Sequence, residues 1–472
     1  MNDSARTTPT LAPPAVHASA TAAALEGGTV STRTHGTAAT AMLTTYMVLL
    51  YAIPSNLQWS PLGSLGKPST VFGIGLLGWW LLTRWNARTR PRAVRRSPVM
   101  TFFLAFCVVI LVSYAAALLR GQPSDQVGSI TTSLVRIASL GGVLVAASHG
   151  IRTRAEMVLV FRRLTITASI LAALGYAQLF TGSTLVGWVS SLPGLAVEWG
   201  GTMDTKGGLL RAVGTSTHPL EFSSSMTALL PITLAYAALA RHQQVRHPWR
   251  RYVPPAAVLA LLVLTVSRSA IIGIVIALLI VMPFLPRAFR KVFLTVGVLG
   301  AGALTVAYPR VILTTLWSFT GVAEDPSALS RTTALSRVPE FAWSSPWYGA
   351  GLGAFLPRYY IFDNAWALML IEAGLLGVCA FLLMLLSGAV GSLRTAMRST
   401  DVEGRALAGA LASAVTTTAV LMAMFDGLSF TIFAGTLFLV LGLGVAVRRV
   451  EASSTVASGT VASGTPASAL PR

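Results

Sequence analysis

Stretches of nearly uninterrupted apolar residues recur from about residue 41 to residue 447, with short polar connectors between them. They fall at about 41–58, 70–83, 99–119, 130–148, 164–180 and 222–240, then at 253–267, 269–285, 292–307, 365–387, 406–425 and 429–447. A hydrocarbon core ~30 Å thick takes about 20 helical residues to cross. Backbone polar groups in lipid must bond within their own segment, so such runs read as transmembrane helices. Composition agrees: 54% of the 472 residues are hydrophobic and 11% charged, against roughly a quarter charged in a soluble domain. The fold class expected is all-α, a polytopic membrane protein with about twelve transmembrane helices. A large extracytoplasmic loop lies between the ninth and the tenth.

The seventh and eighth runs form one stretch from 253 to 285, interrupted only by Ser267-Arg268-Ser269. As a straight helix it would span about 50 Å, so a hairpin turning at Arg268 fits the bilayer better.

A formal net charge of +19 would suit a nucleic-acid partner if the arginines lay on a soluble face. They do not. With the N-terminus inside, arginines 84–96, 152–163, 241–251, 394–405 and 448–449 fall in loops on one side, as do Arg287, Arg290 and Lys291. With Arg6, Arg33 and Arg472 that side holds 25 basic residues against six acidic ones, so the whole excess is there. This is the positive-inside pattern: the partner it implies is a lipid bilayer, no nucleic acid is needed, and both termini are cytoplasmic. The chain divides into a disordered cytoplasmic tail (1–40), a membrane domain (41–450) and a second disordered tail (451–472) that carries the repeat Thr-Val-Ala-Ser-Gly. Residues 1–40 lack the apolar core of a signal peptide.

Two outer segments, 181–221 and 308–364, are long enough to form a site, and both are rich in Trp, Gly and Pro. The first ends Arg211-Ala-Val-Gly-Thr-Ser-Thr-His218-Pro-Leu-Glu221, which makes Arg211, His218 and Glu221 candidate ligand contacts; a lone His before Pro, such as His218, is more often a loop hydrogen-bonder. Arg268 is a charge inside an apolar run, a costly placement that marks function or a side chain snorkelling to headgroups. The second segment carries Arg331, Arg337 and Arg358. Arginine's planar fork suits a diphosphate, while the plain alternative pairs these residues with Glu324, Asp325 and Glu340.

In the same segment Gly349-x-Gly351-x-Gly353 lacks the strand and helix of a dinucleotide motif and reads as a close-packed turn. Asp363 stands where the loop enters the tenth run, as a general base or as the cap of that helix. Glu372 lies within the run and needs an internal partner, for which Arg136 is suited. Cys107 and Cys379 sit in apolar runs as small hydrophobes. No His/Cys cluster has metal-ligand spacing.

Four pieces in this order resemble the O-antigen ligase and polymerase superfamily of bacterial envelope glycan enzymes. They are Arg211-x-x-Gly-Thr-x-x-His-Pro, Thr265-Val-Ser-Arg268, Ser330-Arg331 with Ser345-Pro-x-x-Gly-x-Gly-x-Gly, and Asp363-Asn364 followed by Leu370-Ile-Glu372-Ala-Gly374-Leu-Leu-Gly377. The match covers roughly residues 205–380. The resemblance implies a metal-independent inverting glycosyltransferase without a cofactor, acting at the outer face of the cytoplasmic membrane. Its donor would be a polyprenyl-diphosphate-linked glycan and its acceptor a glycan or glycolipid. It further implies that Arg268 and Arg331 bind the diphosphate, with Arg337 in that place if the loop alignment slips. Family ligases carry His where this chain has Asp363, in an Asp-Asn form associated with actinobacterial relatives. That departure suits a polymerase or another ligase at least as well as a lipopolysaccharide ligase. The competing readings are a flippase or transporter of lipid-linked glycans and a catalytically inactive assembly member.

Overall fold

The computed structural model describes residues 38–86, 97–198, 200–206, 208–320 and 326–462, with the backbone alone at Asn86, 318–320, 326–331 and 454–462. The chain is an all-α polytopic membrane protein. Helix α1 (Ala38–Tyr51) is followed by α2 (Pro68–Asn86), α3 (Pro98–Leu119), α4 (Ser124–Gly150), α5 (Arg154–Thr181) and α6 (Pro219–Ala238). Next come α7 (Val253–Leu264), α8 (Arg268–Val281), α9 (Arg287–Ala307), α10 (Pro309–Thr320) and α11 (Pro326–Ala342). The last three are α12 (Ala365–Arg398), α13 (Val402–Leu421) and α14 (Thr431–Ala462).

Local chemistry sets many of these ends. Proline opens α2, α3 and α6, where its missing N–H is no loss. Thr153 and Glu156 form a reciprocal capping box on α5, and Gly182 ends that helix in the left-handed conformation. Asp401 caps α13 through Gly404 N–H at 3.0 Å.

Among the described residues seven helices are long and apolar enough to cross a membrane by length and composition: α3, α4, α5, α9, α12, α13 and the Thr431–Ser453 part of α14. Each of the twelve apolar runs overlaps a helix. The share of the apolar window buried inside the protein sorts core from rim, from 89% in α14 and 78% in α13 to 28% in α3 and 11% in α9. Around α13 and α14 pack α4, α6 and α12. Small residues let the backbones approach: Gly273 of α8 faces Thr227 of α6 and Leu421 of α13, and Ser413 of α13 donates to Ala277 O of α8 at 2.8 Å.

The basic connectors gather at one end of this bundle. Arg84 reaches His149 at 3.3 Å, Arg154 bridges Asp401 and Glu451 at 2.7 and 2.8 Å, and Gln243 donates to Glu403 at 2.7 Å. At the other end two short antiparallel ribbons form a cap. Strand β1 (Leu57–Trp59) pairs with β2 (Leu195–Val197), and β3 (Asp204–Lys206) with β4 (Leu209–Arg211).

About half of the segment 308–364 is helical, because α10 and α11 lie within it. Two expectations need correction. The expected tail from 451 begins as helix, since α14 continues to Ala462; 463–472 lie outside the described residues, as do 1–37. Glu372 does not pair with Arg136. Its Oε1 accepts Phe355 N–H at 3.2 Å, while Arg136 donates to Leu428 O at 3.0 Å and Ser429 O at 2.8 Å.

The glycine run explains where Glu372 goes. Helix α12 is broken at Gly374, whose φ of +67° lies in the left-handed region. The turn 345–355 seats in that break. Ala350 N–H donates to Ile371 O at 3.0 Å and Gly351 N–H to Glu372 O at 2.9 Å, while Leu375 N–H donates back to Pro346 O at 2.8 Å. A Cβ on Gly349 would lie 2.3 Å from the Glu372 backbone, so the run is a close-packed turn and its amides at 350 and 351 are already used.

Candidate active site

The capped end of the bundle brings together three of the four pieces singled out in the sequence. The 211–218 stretch is fastened from below by Gln178, near the end of α5. Its Oε1 accepts Val213 N–H at 3.1 Å and Gly214 N–H at 2.7 Å, and its Nε2 donates to Gly214 O at 2.8 Å. Gly214 has φ +58°, and a Cβ there would lie 2.4 Å from the Phe222 ring. Only glycine makes this turn.

Arg211 is 6% exposed. Its Nε donates to Thr265 O at 3.2 Å, and its Nη1 reaches Asp204 Oδ2 at 3.5 Å. The first bond ties the β3–β4 ribbon to the break between α7 and α8, three residues before Arg268.

That break falls where the sequence placed it. Thr265 ends α7, Ser267 caps α8 through Ala270 N–H at 3.4 Å, and Arg268 is the first helical residue. Between them Val266 has φ +48°. A β-branched residue in the left-handed region stores strain on the order of 1–3 kcal/mol, a feature that clusters at functional sites. Arg268 is half-buried.

His218 caps α6 with Nδ1, which accepts Leu220 N–H at 3.1 Å. Burial, and after it the nearby Arg211 guanidinium, hold its pKa below the ordinary imidazole value, while Asp204 and Asp363 oppose them. Asp363 therefore stands within electrostatic reach of His218. The cap of α12 is Asn364, whose Oδ1 accepts Trp366 N–H at 3.0 Å and Ala367 N–H at 3.1 Å. Asp363 itself is exposed and makes no hydrogen bond or ion pair among the described residues.

The remaining candidates sit elsewhere. Glu221 is fully buried and its carboxylate is consumed by the protein. Oε1 accepts Ile432 N–H at 2.7 Å, and Oε2 accepts Thr217 N–H at 2.9 Å and Ser55 Oγ–H at 3.0 Å. The structure thus makes it a capping group that joins α6 to the start of α14, where the sequence suggested a ligand contact. Arg358, exposed, donates to the Tyr359 hydroxyl at 3.1 Å and pairs with Asp125 at 2.5 Å; these two bonds raise its pKa. Arg337, on α11, lies 5.3 Å from the centre of the Tyr360 ring. Helix α11 in turn packs on the first half of α12 through Ala334, Val338, Phe362 and Ile371. Arg331 lies on α11, with its side chain outside the described residues.

The connector 422–430 between α13 and α14 was not singled out in the sequence. Ala365 N–H donates to Met422 O at 2.9 Å, which sets the start of α12 on this connector, and the Phe430 ring lies 6.3 Å from that of His218. Asp426, in its middle, accepts a hydrogen bond from Ser429. Burial raises its pKa, Ser429 and Arg136 oppose the rise, and Asp363 adds to it. The available signal was an Asp-Gly pair between two apolar runs, which a turn explains equally well.

No protein-family model matches the chain, and no curated protein matches it. Among solved structures, a chain from work on the structural coordination of polymerization and crosslinking by a peptidoglycan synthase complex superposes with a TM-score of 0.43 at 15% identity. The superposition covers 76% of this chain and 98% of that one.

Proposed function

We propose that this chain is a membrane glycosyltransferase that moves a glycan from a polyprenyl-diphosphate carrier onto a sugar acceptor at the outer face of the cytoplasmic membrane. In this reading the chain crosses the membrane twelve times, with both ends inside. The observation that carries it is the bond from Arg211 to the Thr265–Arg268 break, together with the 422–430 connector that lies against both His218 and the start of α12, which Asp363 precedes, at the end opposite the basic connectors. The exposed tryptophans fit two interfacial levels, with Trp59 in the capping ribbon, Trp188, Trp317, Trp343 and Trp347 in the outer segments, and Trp85 and Trp249 in the basic connectors.

Asp363 takes the proton of the acceptor hydroxyl, for which an exposed carboxylate with no hydrogen bond or ion pair among the described residues is suited. The acceptor oxygen attacks the anomeric carbon from the face away from the diphosphate, so configuration inverts. The bond to the diphosphate oxygen breaks, and its electron pair leaves with the carrier. Arg268, with Arg331 on α11, meets that charge with paired N–H donors. Arg211 acts one step back, holding the ribbon against the break that carries Arg268. No metal is required in this scheme, because the leaving group is already a stabilised anion.

The test is transfer from a polyprenyl-diphosphate oligosaccharide by purified protein, comparing wild type with Arg268→Ala and Asp363→Ala. Wild type is expected to release polyprenyl diphosphate and extend the acceptor, with each variant at least about a hundredfold slower. Movement of the donor between leaflets by a wild type that turns nothing over would replace this reading with a flippase.

A further inference from the structure

A cleft of about 720 Å³ opens at the far end of the bundle from His218 and Asp363. It lies between the last turns of α12, the α12–α13 connector, α14 and the first residue of α5. Asp363 precedes α12 and Arg398 ends it; the unbroken part of α12 after Gly374 alone runs about 36 Å at ~1.5 Å per residue.

Four arginines line the cleft, Arg154, Arg394, Arg398 and Arg448, against two carboxylates, Asp401 and Glu451. Both carboxylates are already taken by Arg154, at 2.7 and 2.8 Å. They are held further by Gly404 N–H on Asp401 and Ser399 Oγ–H on Glu451. Arg394, Arg398 and Arg448 have no hydrogen bond or ion pair among the described residues. The buried Nε–H of Arg154 likewise meets no acceptor there. Three guanidinium groups and one orphaned donor around a cavity of this size are complementary to a phosphate.

The surface leading into the cleft says what carries the phosphate. Leu383, Leu386 and Val390 of α12 are 43%, 48% and 40% exposed. At ~100° per residue they fall on the same helical face as Arg394 and Arg398. An apolar stripe thus runs along the helix and ends in the basic cluster, which matches an acyl chain below a headgroup.

We propose that this cleft binds the phosphate-bearing headgroup of an anionic membrane lipid, with an acyl chain along the Leu383–Val390 stripe. Arg394 and Arg398 take the phosphate from the α12 side and Arg448 from α14, so the lipid ties the two helices together at their ends. The proposal stands apart from the glycosyltransferase reading and does not depend on it.

The experiment uses full-length protein in zwitterionic micelles, titrated with phosphatidylglycerol, phosphatidylcholine or inorganic phosphate, with retained lipid read by native mass spectrometry. Phosphatidylglycerol should be retained in preference to phosphatidylcholine. Arg394→Gln and Arg398→Gln should each weaken retention about fivefold, the size expected for one arginine at a charged lipid surface. Both positions are exposed, so the fold should tolerate the change. Arg287→Gln, the same loss of charge in another basic connector, should leave retention unaltered. Equal retention of the two lipids, or equal weakening by Arg287→Gln, would reduce the effect to bulk charge and overturn the site. Displacement of phosphatidylglycerol by millimolar inorganic phosphate would overturn the lipid assignment and leave a free-phosphate site.

Discussion

Replacing Glu221 separates two roles that its position in the sequence left open. In Glu221→Ala the N–H groups of Thr217 and Ile432 and the Ser55 hydroxyl lose their shared acceptor in a site with no exposed surface. An unsatisfied buried donor costs about 1–3 kcal/mol. Two backbone donors therefore cost about 2–6 kcal/mol, since the hydroxyl can turn to Thr217 Oγ1, already 2.7 Å away. For a chain of this size roughly 1–2 °C of melting temperature corresponds to each kcal/mol, somewhat less than in smaller domains. A mid-range loss then lowers the melting temperature by about 4–8 °C. Thermal unfolding in a mild detergent, followed by tryptophan fluorescence, measures this directly. Glu221→Gln should fall between the two, because one amide oxygen still accepts while the amide nitrogen faces a donor. If Glu221→Ala melts with the wild type yet loses transfer, the carboxylate serves a ligand, and the capping argument is refuted.

Other outcomes follow from the same geometry. Because the folded His218 has its pKa held below the 6.5 of the free ring, the unfolded chain takes up the proton first as pH falls. The stability contributed by the neutral ring is complete above about pH 6.5 and declines below it. Melting curves at about pH 7.5 and about pH 5.5 should show a larger drop for wild type than for His218→Asn, which keeps a capping oxygen; equal drops would contradict the assignment. Gly374→Ala puts a Cβ 2.4 Å from the Trp347 carbonyl carbon at φ +67°. It should cost about 3 kcal/mol or more, read as lost yield of folded protein in detergent extracts. With Cys107 and Cys379 replaced by Ala, single cysteines at Asp363 and Arg398 should react with an impermeant maleimide from opposite sides of the membrane. Labelling from one side would contradict the twelve-pass arrangement.

What could be read from the sequence is what composition encodes locally. Each apolar run overlaps a helix because lipid and core alike demand apolar residues over a helical length. The α7–α8 break was visible because Ser267-Arg268 interrupts a stretch too long for one crossing. Arg211, His218, Arg268 and Asp363 stood out as polar residues at the edges of such runs. What escaped depends on partners distant in the chain. Nothing near Glu221 indicates that Ile432, 211 residues on, supplies its strongest donor. The kink at Gly374 exists because the turn around Trp347 needs room, so residue preferences along α12 do not show it. The role of Asn364 as cap, with Asp363 left exposed, turns on a shift of one residue that spacing alone does not resolve.

On its own side the glycine turn joins α12 through main-chain atoms, which bond to the α12 backbone and to the Glu372 carboxylate. Apart from the glycines, the amino acids along 345–355 can therefore change without altering how that stretch is registered against the membrane helix. Helix α11, held beside it by a small apolar patch, is free to present different side chains over a constant platform. Under the proposed glycosyltransferase reading, drift on α11 and the Phe355–Phe362 stretch changes the acceptor taken, while the mounting beneath stays the same. Swapping 326–342 between relatives should then exchange preference for the acceptor and leave the fold intact.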